Sequence, residues 1–185
     1  MLYLYLCSLL IKKIMRIFLI GYMGSGKSTV GKKLAAKLDF NFVDVDSFIE
    51  QKYKISINDF FKKYGEEKFR DVEHLALLKI IENDNLIIST GGGLPCFNNN
   101  MQIIKENGAS IYLKLNVNGL YSRLVNSKKK RPLIQGMAEG DLKKFIEKQL
   151  FEREQYYLQS DFIVEGINVD YKNLKAIIEN KTKKL

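Results

Sequence analysis

The sequence lacks tryptophan and is poor in histidine, proline and cysteine, with one, two and two of these among 185 residues. The two cysteines, Cys7 and Cys96, form neither a metal-spaced pair nor a disulfide framework, which is typical of a reducing compartment. A cytoplasmic protein is therefore expected. The single histidine, His74, lies mid-helix among charged neighbours, so we expect a surface role for it and not catalysis.

Long hydrophobic runs are also missing. The apolar N-terminal stretch covers about ten residues, too short to span a bilayer as a helix, and it lacks the features of a secretory signal. No membrane partner is expected. Because Met15 begins "MRIFLIG", a complete strand and loop, residues 1–14 are predicted to be a non-essential extension and 15–185 a single domain. A hydrophobic content of 46% suffices for one core.

Basic residues outnumber acidic ones, 30 to 21, which gives a formal charge of +9. Such an excess predicts an anionic partner: nucleotide phosphates, an acidic metabolite, nucleic acid or a membrane surface. The alternative is a solvated surface. The lysines are spread over several segments and cluster only at 128–130 and 181–184.

Strand and helix patterns alternate along the chain. Five apolar segments are typical of strands: RIFLI (16–20), FNFVDVD (40–46), NLIIST (85–90), SIYLKL (110–115) and DFIVE (161–165). Helical spacing of apolar residues separates nearly all of them, and Ser56 with Asp59 predicts a helix start. This order predicts an α/β fold with a parallel sheet covered on both faces. The polar segment 126–141 is predicted to be a mobile loop.

The strongest local motif is the spacing Gly21-x-x-x-x-Gly26-Lys27-Ser28. It matches the phosphate-binding P-loop, whose backbone N–H groups surround phosphate oxygens. Lys27 would reach the β- and γ-phosphates, Ser28 would bind Mg²⁺, and the following helix would direct its positive end at the same charge. A chance glycine turn is the alternative, and the adjoining strand and helix argue against it.

Acidic residues end the second predicted strand. Period-two alternation in "FVDVD" places Asp44 and Asp46 on one side, at the strand end where open α/β sheets bind ligands. Phosphoryl transfer uses such acids, one for the metal's water shell and one to orient the attacking hydroxyl. The alternative is an exposed strand end with helix-capping acids.

Three consecutive glycines, 91–93, follow the third predicted strand and indicate close approach of a ligand to backbone, with a flexible turn as the alternative. Arg70 and Arg153 are candidate clamps for a carboxylate, because a guanidinium matches its two oxygens. Arg70 also has Glu66 and Glu73 at helical spacing. A surface ion-pair network is therefore the default interpretation of Arg70.

In this order, the motifs resemble the shikimate kinase family. The resemblance covers about residues 16–178 and is carried by "GYMGSGKSTVG", "DVD", "FRDVE", "TGGG", "RPLI" and the R-x-x-x-Y of "EREQYY". It implies a three-layer, nucleoside-monophosphate-kinase-like P-loop fold with a central parallel five-stranded sheet and a mobile lid. It also implies transfer of the γ-phosphoryl group from ATP, with Mg²⁺, to the 3-hydroxyl of shikimate, in the biosynthesis of chorismate and aromatic amino acids.

The resemblance also implies roles for individual residues. It places nine residues around ATP and its metal: Gly24, Ser25, Gly26, Lys27, Ser28, Thr29, Asp44, Arg123 and Arg131. Ser28 and Asp44 would hold the metal, Arg131 would lie on the lid, and Arg123 would lie near the adenine. Around shikimate it places Asp46, Arg70, Gly92, Gly93 and Arg153. Asp46, Lys27 and Arg131 would be catalytic. The family commonly has Pro-Leu-Tyr where Arg153 is here followed by Glu-Gln-Tyr-Tyr.

Two other functions fit parts of the sequence. Another small-molecule P-loop kinase, such as gluconate kinase, would differ only in its acceptor. A nucleotide-dependent nucleic-acid-binding protein would account for the charge and for "KKKR". Against the second, no aromatic cluster accompanies the basic run and no reader module is recognised. A monomer without a nucleic-acid partner is expected.

Overall fold

The computed structural model describes residues 15–127, 137–166 and 169–172, and residues 174, 176 and 178. The predicted N-terminal extension, 1–14, lies outside these residues. So do residues 128–136 of the predicted lid, including Arg131. No helix within the described ranges is both long and apolar enough to cross a bilayer.

A five-stranded, wholly parallel sheet forms the centre of the fold, as the sequence predicts. Its strands are β1 (Arg16–Ile20), β2 (Asn41–Asp44), β3 (Leu86–Ser89), β4 (Ala109–Lys114) and β5 (Phe162–Glu165). They lie in the order β2-β3-β1-β4-β5. The carboxyl ends of all five strands therefore meet at one edge.

Both faces of the sheet are buried. Alternate residues of β1 point to opposite sides, so that Phe18 and Ile20 belong to one apolar cluster while Ile17 and Leu19 belong to the other. All four have no exposed surface. A central parallel strand covered on both sides requires such a continuous apolar run.

Six helices are described in full, and they flank the sheet. They are α1 (Lys27–Leu38), α2 (Val45–Tyr53), α3 (Ile57–Ile80), α4 (Asn100–Asn107), α5 (Val117–Val125) and α6 (Glu139–Tyr157), with a short 3-10 helix at Leu94–Cys96. Helix α1 begins directly after the P-loop glycines. Its positive end therefore points to the carboxyl edge of the sheet.

The predicted second strand is too long. Strand β2 ends at Asp44, and the chain turns into α2 at Val45, so Asp46 lies in the first turn of that helix and not on a strand face. The turn is stabilised by the Asp44 carboxylate, which accepts a hydrogen bond from the Ser47 backbone N–H at 3.3 Å. The alternative interpretation of a capping acid is thus correct for Asp44.

Helix α3 begins where Ser56 and Asp59 predict. The Ser56 hydroxyl accepts a hydrogen bond from the Asp59 N–H at 3.1 Å and donates one to the Asp59 carboxylate at 2.6 Å. Further along, Gly65 has φ 80° and ψ 176°, which interrupts the helical backbone. The chain from 57 to 64 is therefore a separate helical arm, joined through Gly65 to the longer stem of 66–80.

Loss of the cap should weaken this arm. We expect Ser56→Ala to lower the free energy of unfolding by about 0.5 to 2 kcal/mol, because the Asp59 N–H loses its partner. The control is Ser122→Ala, which removes an exposed hydroxyl within α5. It should change the free energy of unfolding by less than about 0.5 kcal/mol. Denaturant titration of both variants measures the difference. Equal effects would exclude a capping role for Ser56.

Candidate active site

A cavity of about 910 Å³ opens at the carboxyl edge of the sheet. Its walls come from the P-loop, the ends of β2 and β3, both parts of α3, helix α6 and the segment after β5. The sequence-predicted residues on its surface are Gly24, Ser25, Gly26, Lys27, Ser28, Thr29, Asp44, Asp46, Arg70, Gly92, Gly93, Arg123 and Arg153. The fold thus brings together every predicted site residue except Arg131, which lies outside the described residues.

Lys27 is held inside the P-loop. Its side chain is buried, and Nζ donates hydrogen bonds to the carbonyl oxygens of Gly21 at 2.7 Å and Tyr22 at 3.0 Å. The ammonium group therefore lies within the curve of the loop, beside the N-terminus of α1. A positive charge among backbone N–H groups is the arrangement that binds phosphate oxygens.

Ser28 and Asp44 meet next to the P-loop. The Ser28 hydroxyl donates to Asp44 Oδ2 at 2.6 Å, and Ser89 Oγ at the end of β3 is 3.4 Å from Ser28 Oγ. Three neighbouring segments thus place oxygen atoms at one point. Hard oxygen ligands of this kind suit Mg²⁺.

Arg123 lies on the P-loop side of the cavity and bonds two backbone carbonyls there. Its Nη1 donates to the Ser25 carbonyl at 2.9 Å, and its Nη2 donates to the Gly166 carbonyl at 2.9 Å. The guanidinium thus joins the P-loop to the segment after β5. That segment adds Val169 and Tyr171 to the cavity wall, two residues that the sequence analysis did not identify.

Arg70 makes the predicted ion pairs, but not on the surface. Its guanidinium contacts Glu73 and Glu66 at 2.7 Å each, while Arg70 is 7% exposed and Glu73 1%. The ion pairs of the default interpretation are therefore confirmed, but Arg70 and Glu73 are buried and only Glu66 reaches the surface. Although burial lowers the pKa of Arg70, the two glutamates raise it above its usual value.

Glu73 is held in an environment unfavourable to its charge. Burial raises its pKa to about 7, and the nearby Asp46 adds to the rise, while Arg70 and Arg153 oppose it. The carboxyl therefore titrates near neutral pH. Sequence spacing identified Glu73 only as a partner of Arg70.

The three glycines pass directly over these charged groups. A Cβ atom on Gly93 would lie 2.5 Å from Arg70 Nη1, and one on Gly91 would lie 2.4 Å from Glu73 Oε1 and 3.0 Å from Asp46 Oδ1. No side chain fits at either position. Gly91 and Gly93 are thus explained by close approach to Arg70, Glu73 and Asp46, whereas Gly92 lies against the P-loop, where a Cβ atom would be 3.2 Å from the Met23 backbone nitrogen.

Arg153 projects into the cavity from α6. The helix is continuous through Tyr157 although the Pro-Leu-Tyr of the family is missing. Arg153 is 8% exposed, and its Cζ lies 6.0 Å from the centroid of the Tyr22 ring. Among the described residues it forms no salt bridge with a carboxylate. A buried cation of this kind favours an anionic ligand.

The α3 arm adds Asn58 and Phe61 to the cavity wall, which sequence reasoning missed. Both residues lie in the helix that Ser56 predicts, two and five positions after that cap. His74 is half-buried, away from the cavity lining, with Nδ1 2.7 Å from Asn100 Oδ1. It therefore joins α3 to α4, which is a structural role.

The raised pKa of Glu73 makes stability depend on pH. The folded state holds the proton up to about pH 7, whereas the unfolded state releases it near 4.5. The wild type should therefore lose stability, relative to Glu73→Gln, as pH rises from 4.5 to 7, by on the order of 1 to 3 kcal/mol. Denaturant titrations at pH 5 and pH 8 test this. A constant difference, or one of opposite sign, would contradict it.

Comparison with known proteins gives consistent matches. The family model for shikimate kinase matches residues 23–184. A shikimate kinase of Azobacteroides pseudotrichonymphae genomovar. CFP2 is 44% identical over 171 residues, 92% of this chain and 99% of the relative. The solved shikimate kinase from Acinetobacter baumannii in complex with shikimate superposes with a TM-score of 0.83 and 31% identity, covering 94% of this chain and 98% of the other.

A gluconokinase from Sinorhizobium meliloti 1021 is also similar in structure. Its TM-score is 0.56 at 16% identity, over 92% of this chain and 97% of the other, so it shares the fold alone. The family model covers most of this chain, and shikimate kinases of Azobacteroides pseudotrichonymphae and Bacteroides thetaiotaomicron match most of both chains in sequence. The chain therefore belongs to the shikimate kinase family.

Proposed function

We propose that this protein transfers the γ-phosphoryl group of ATP to the 3-hydroxyl of shikimate. The observation that carries the proposal is one cavity in which a P-loop faces two buried arginines, Arg70 and Arg153, across Asp46. The P-loop side accounts for a nucleotide. The arginines account for an acceptor with a carboxylate, and the Acinetobacter baumannii relative was solved with shikimate.

On the nucleotide side, Lys27 and the N-terminus of α1 would stabilise the negative charge of the phosphates. Lys27 would exchange its carbonyl partners, Gly21 and Tyr22, for phosphate oxygens. Thr29 would add a hydroxyl beside Ser28. Arg123 would stabilise the P-loop conformation through its hydrogen bond to the Ser25 carbonyl, and it would lie close to the adenine.

The oxygen atoms at Ser28 and Asp44 fit Mg²⁺. Within the described residues no group of three or more His, Cys, Asp or Glu forms a metal cage. This agrees with an ion held by one or two protein oxygens, waters and the phosphates. When bound there, Mg²⁺ supplies charge that neutralises the transferring group. Ser28 would bind it directly and Asp44 through its water shell.

On the acceptor side, Arg153 would bind the shikimate carboxylate together with Arg70. Glu66 and Glu73 fix the Arg70 guanidinium by 2.7 Å contacts, so its remaining N–H groups point in a set direction. The backbone of Gly92 and Gly93 lies against the same space and would contact the ring. Only a bare backbone leaves room for the arginine beneath it.

Asp46 would orient the attacking hydroxyl. Asp46 lies in the first turn of α2 and lines the same cavity as the P-loop and the two arginines. Phosphoryl transfer proceeds through a loose transition state, so most of the rate comes from in-line positioning and charge stabilisation. Asp46 would accept the proton as transfer completes. Arg131, on the proposed lid, would add positive charge and exclude water.

The remaining assignments follow from this chemistry. We infer one catalytic domain over residues 15–185, with 1–14 as an extension that activity does not need. An ATP-dependent kinase of a small metabolite works in the cytoplasm. Because one chain supplies both arginines and the P-loop, a monomer suffices. Gluconate and nucleic acid remain the alternative ligands to test.

The direct test is a coupled assay of ADP release. The wild type should turn over ATP with shikimate and Mg²⁺, and not with gluconate. Lys27→Ala should abolish turnover because it removes the charge at the phosphates, whereas the exposed Lys37→Ala should retain it. Turnover with gluconate alone would overturn the choice of acceptor. A salt-dependent gel shift tests for nucleic-acid binding.

Loss of the guanidinium geometry at Arg70 should weaken shikimate selectively. Arg70→Lys keeps the charge but not the planar donors, so we expect a loss of on the order of 2 to 4 kcal/mol in shikimate binding, with ATP binding unchanged. Titration calorimetry with each ligand measures both. Arg16→Lys is the matched control, because Arg16 contacts Asp84 at 2.7 Å at the opposite end of β1. Equal weakening of both ligands would indicate a folding defect.

A further inference from the structure

Tyr157 is the last residue of α6 and lies one helical turn after Arg153. It is the tyrosine of the R-x-x-x-Y motif. Residues four apart share a helix face, so both side chains point toward the glycine loop. Tyr157 has no exposed surface and lies behind the cavity wall, not on it. None of the roles assigned above uses it.

The Tyr157 hydroxyl is hydrogen-bonded to the glycine loop. It donates to the carbonyl oxygen of Gly92 at 2.5 Å. On its other side Gly92 lies close to the P-loop, where a Cβ atom would be 3.2 Å from the Met23 backbone nitrogen. The loop is therefore held between the Tyr157 hydroxyl and the P-loop backbone.

Tyr157 is itself fixed to the sheet. Its ring packs on that of Tyr112 in β4, with centroids 5.2 Å apart and planes at 48°. The Tyr112 hydroxyl donates to Glu154 Oε1 at 3.1 Å, which ties the same turn of α6 to the strand. The Tyr157 hydroxyl thus has a fixed position relative to both β4 and Arg153.

We infer that Tyr157 is a positioning residue for the acceptor. Its hydroxyl fixes the position of the Gly92 carbonyl oxygen, and thereby the distance between the glycine loop and Arg153. This inference rests on the proposed function, because shikimate would occupy that spacing. Without the hydrogen bond, the part-buried carbonyl loses its donor, and the loop is free to shift. The P-loop side of the cavity keeps all its own contacts.

The Tyr157 hydroxyl keeps its proton at neutral pH and therefore remains a hydrogen-bond donor. Burial raises the pKa of Tyr157 well above its usual value, against the smaller opposing effect of Arg153. The proposed positioning is therefore independent of pH in the neutral range. An effect that follows pH would have to come from another group.

The test compares two tyrosine-to-phenylalanine variants. Tyr157→Phe removes the hydroxyl on Gly92, and Tyr121→Phe removes the hydroxyl of a partly buried tyrosine on α5 that does not line the cavity. We expect Tyr157→Phe to raise KM for shikimate about tenfold with KM for ATP changed less than about twofold. Tyr121→Phe should change both values less than about twofold. Thermal unfolding of both variants shows whether each remains folded.

A third variant separates positioning from packing. Replacing Tyr157 with 4-aminophenylalanine restores an N–H donor on a ring of nearly the same shape, and it should recover most of the lost shikimate affinity. The inference is overturned if Tyr157→Phe behaves like Tyr121→Phe, if it weakens both substrates equally, or if the amino variant does not recover. If the wild type neither binds nor phosphorylates shikimate, the proposed function fails first, and the inference fails with it.

Discussion

The buried contact between Arg70 and Glu73 is the constraint on which the acceptor half of the cavity depends. A nearby opposite charge stabilises a guanidinium that is removed from water, and the two side chains meet at 2.7 Å with almost no exposed surface. Their bulk leaves no space above them except for bare backbone, so the chain after β3 must be glycine there. That backbone in turn needs support, which Tyr157 gives from α6. This charged pair thus explains Gly91 and Gly93, while Gly92 between them is held by the Tyr157 hydroxyl and the P-loop backbone.

Local patterns predicted most of the fold and half of the site. The P-loop, the Ser56 cap and the five strands each depend on residues adjacent in sequence, so they were recognised without knowledge of the tertiary structure. Asp46 was misplaced because alternation continues through "FVDVD", whereas the side chain of Asp44 ends the strand by capping α2. Arg70 was misjudged because glutamates three and four residues away look alike on an exposed and a buried helix face. Only contacts with the distant glycine loop and α6 distinguish the two.

The missing proline near Arg153 has a simple structural meaning. Within a helix proline removes a hydrogen bond and crowds the preceding turn, so a chain with Pro-Leu-Tyr is bent or interrupted at that point. Here Glu154 and Gln155 let α6 continue unbroken to Tyr157. Glu154 also uses its side chain, as the acceptor for Tyr112 and a partner of Lys114 at 3.1 Å. Side-chain contacts of Glu154 thus join α6 to β4 in this protein.

The interruption of α3 at Gly65 divides the helix into two units of different local stability. Gly65 departs from helical φ and ψ, so we expect the arm to fray without unfolding the stem that carries Arg70. The arm is tied to the stem chiefly by Phe60 and Phe61, whose rings pack on Phe69 at 5.9 and 4.6 Å. Opening the cavity wall at Asn58 and Phe61 then costs these aromatic contacts and the Ser56 cap, together with the hydrogen bond from the Ile57 N–H to Glu50 and the contact of the Phe61 ring with Arg70. Amide protons of the arm would exchange with solvent through this local opening. Those of the stem would exchange only when the whole core unfolds.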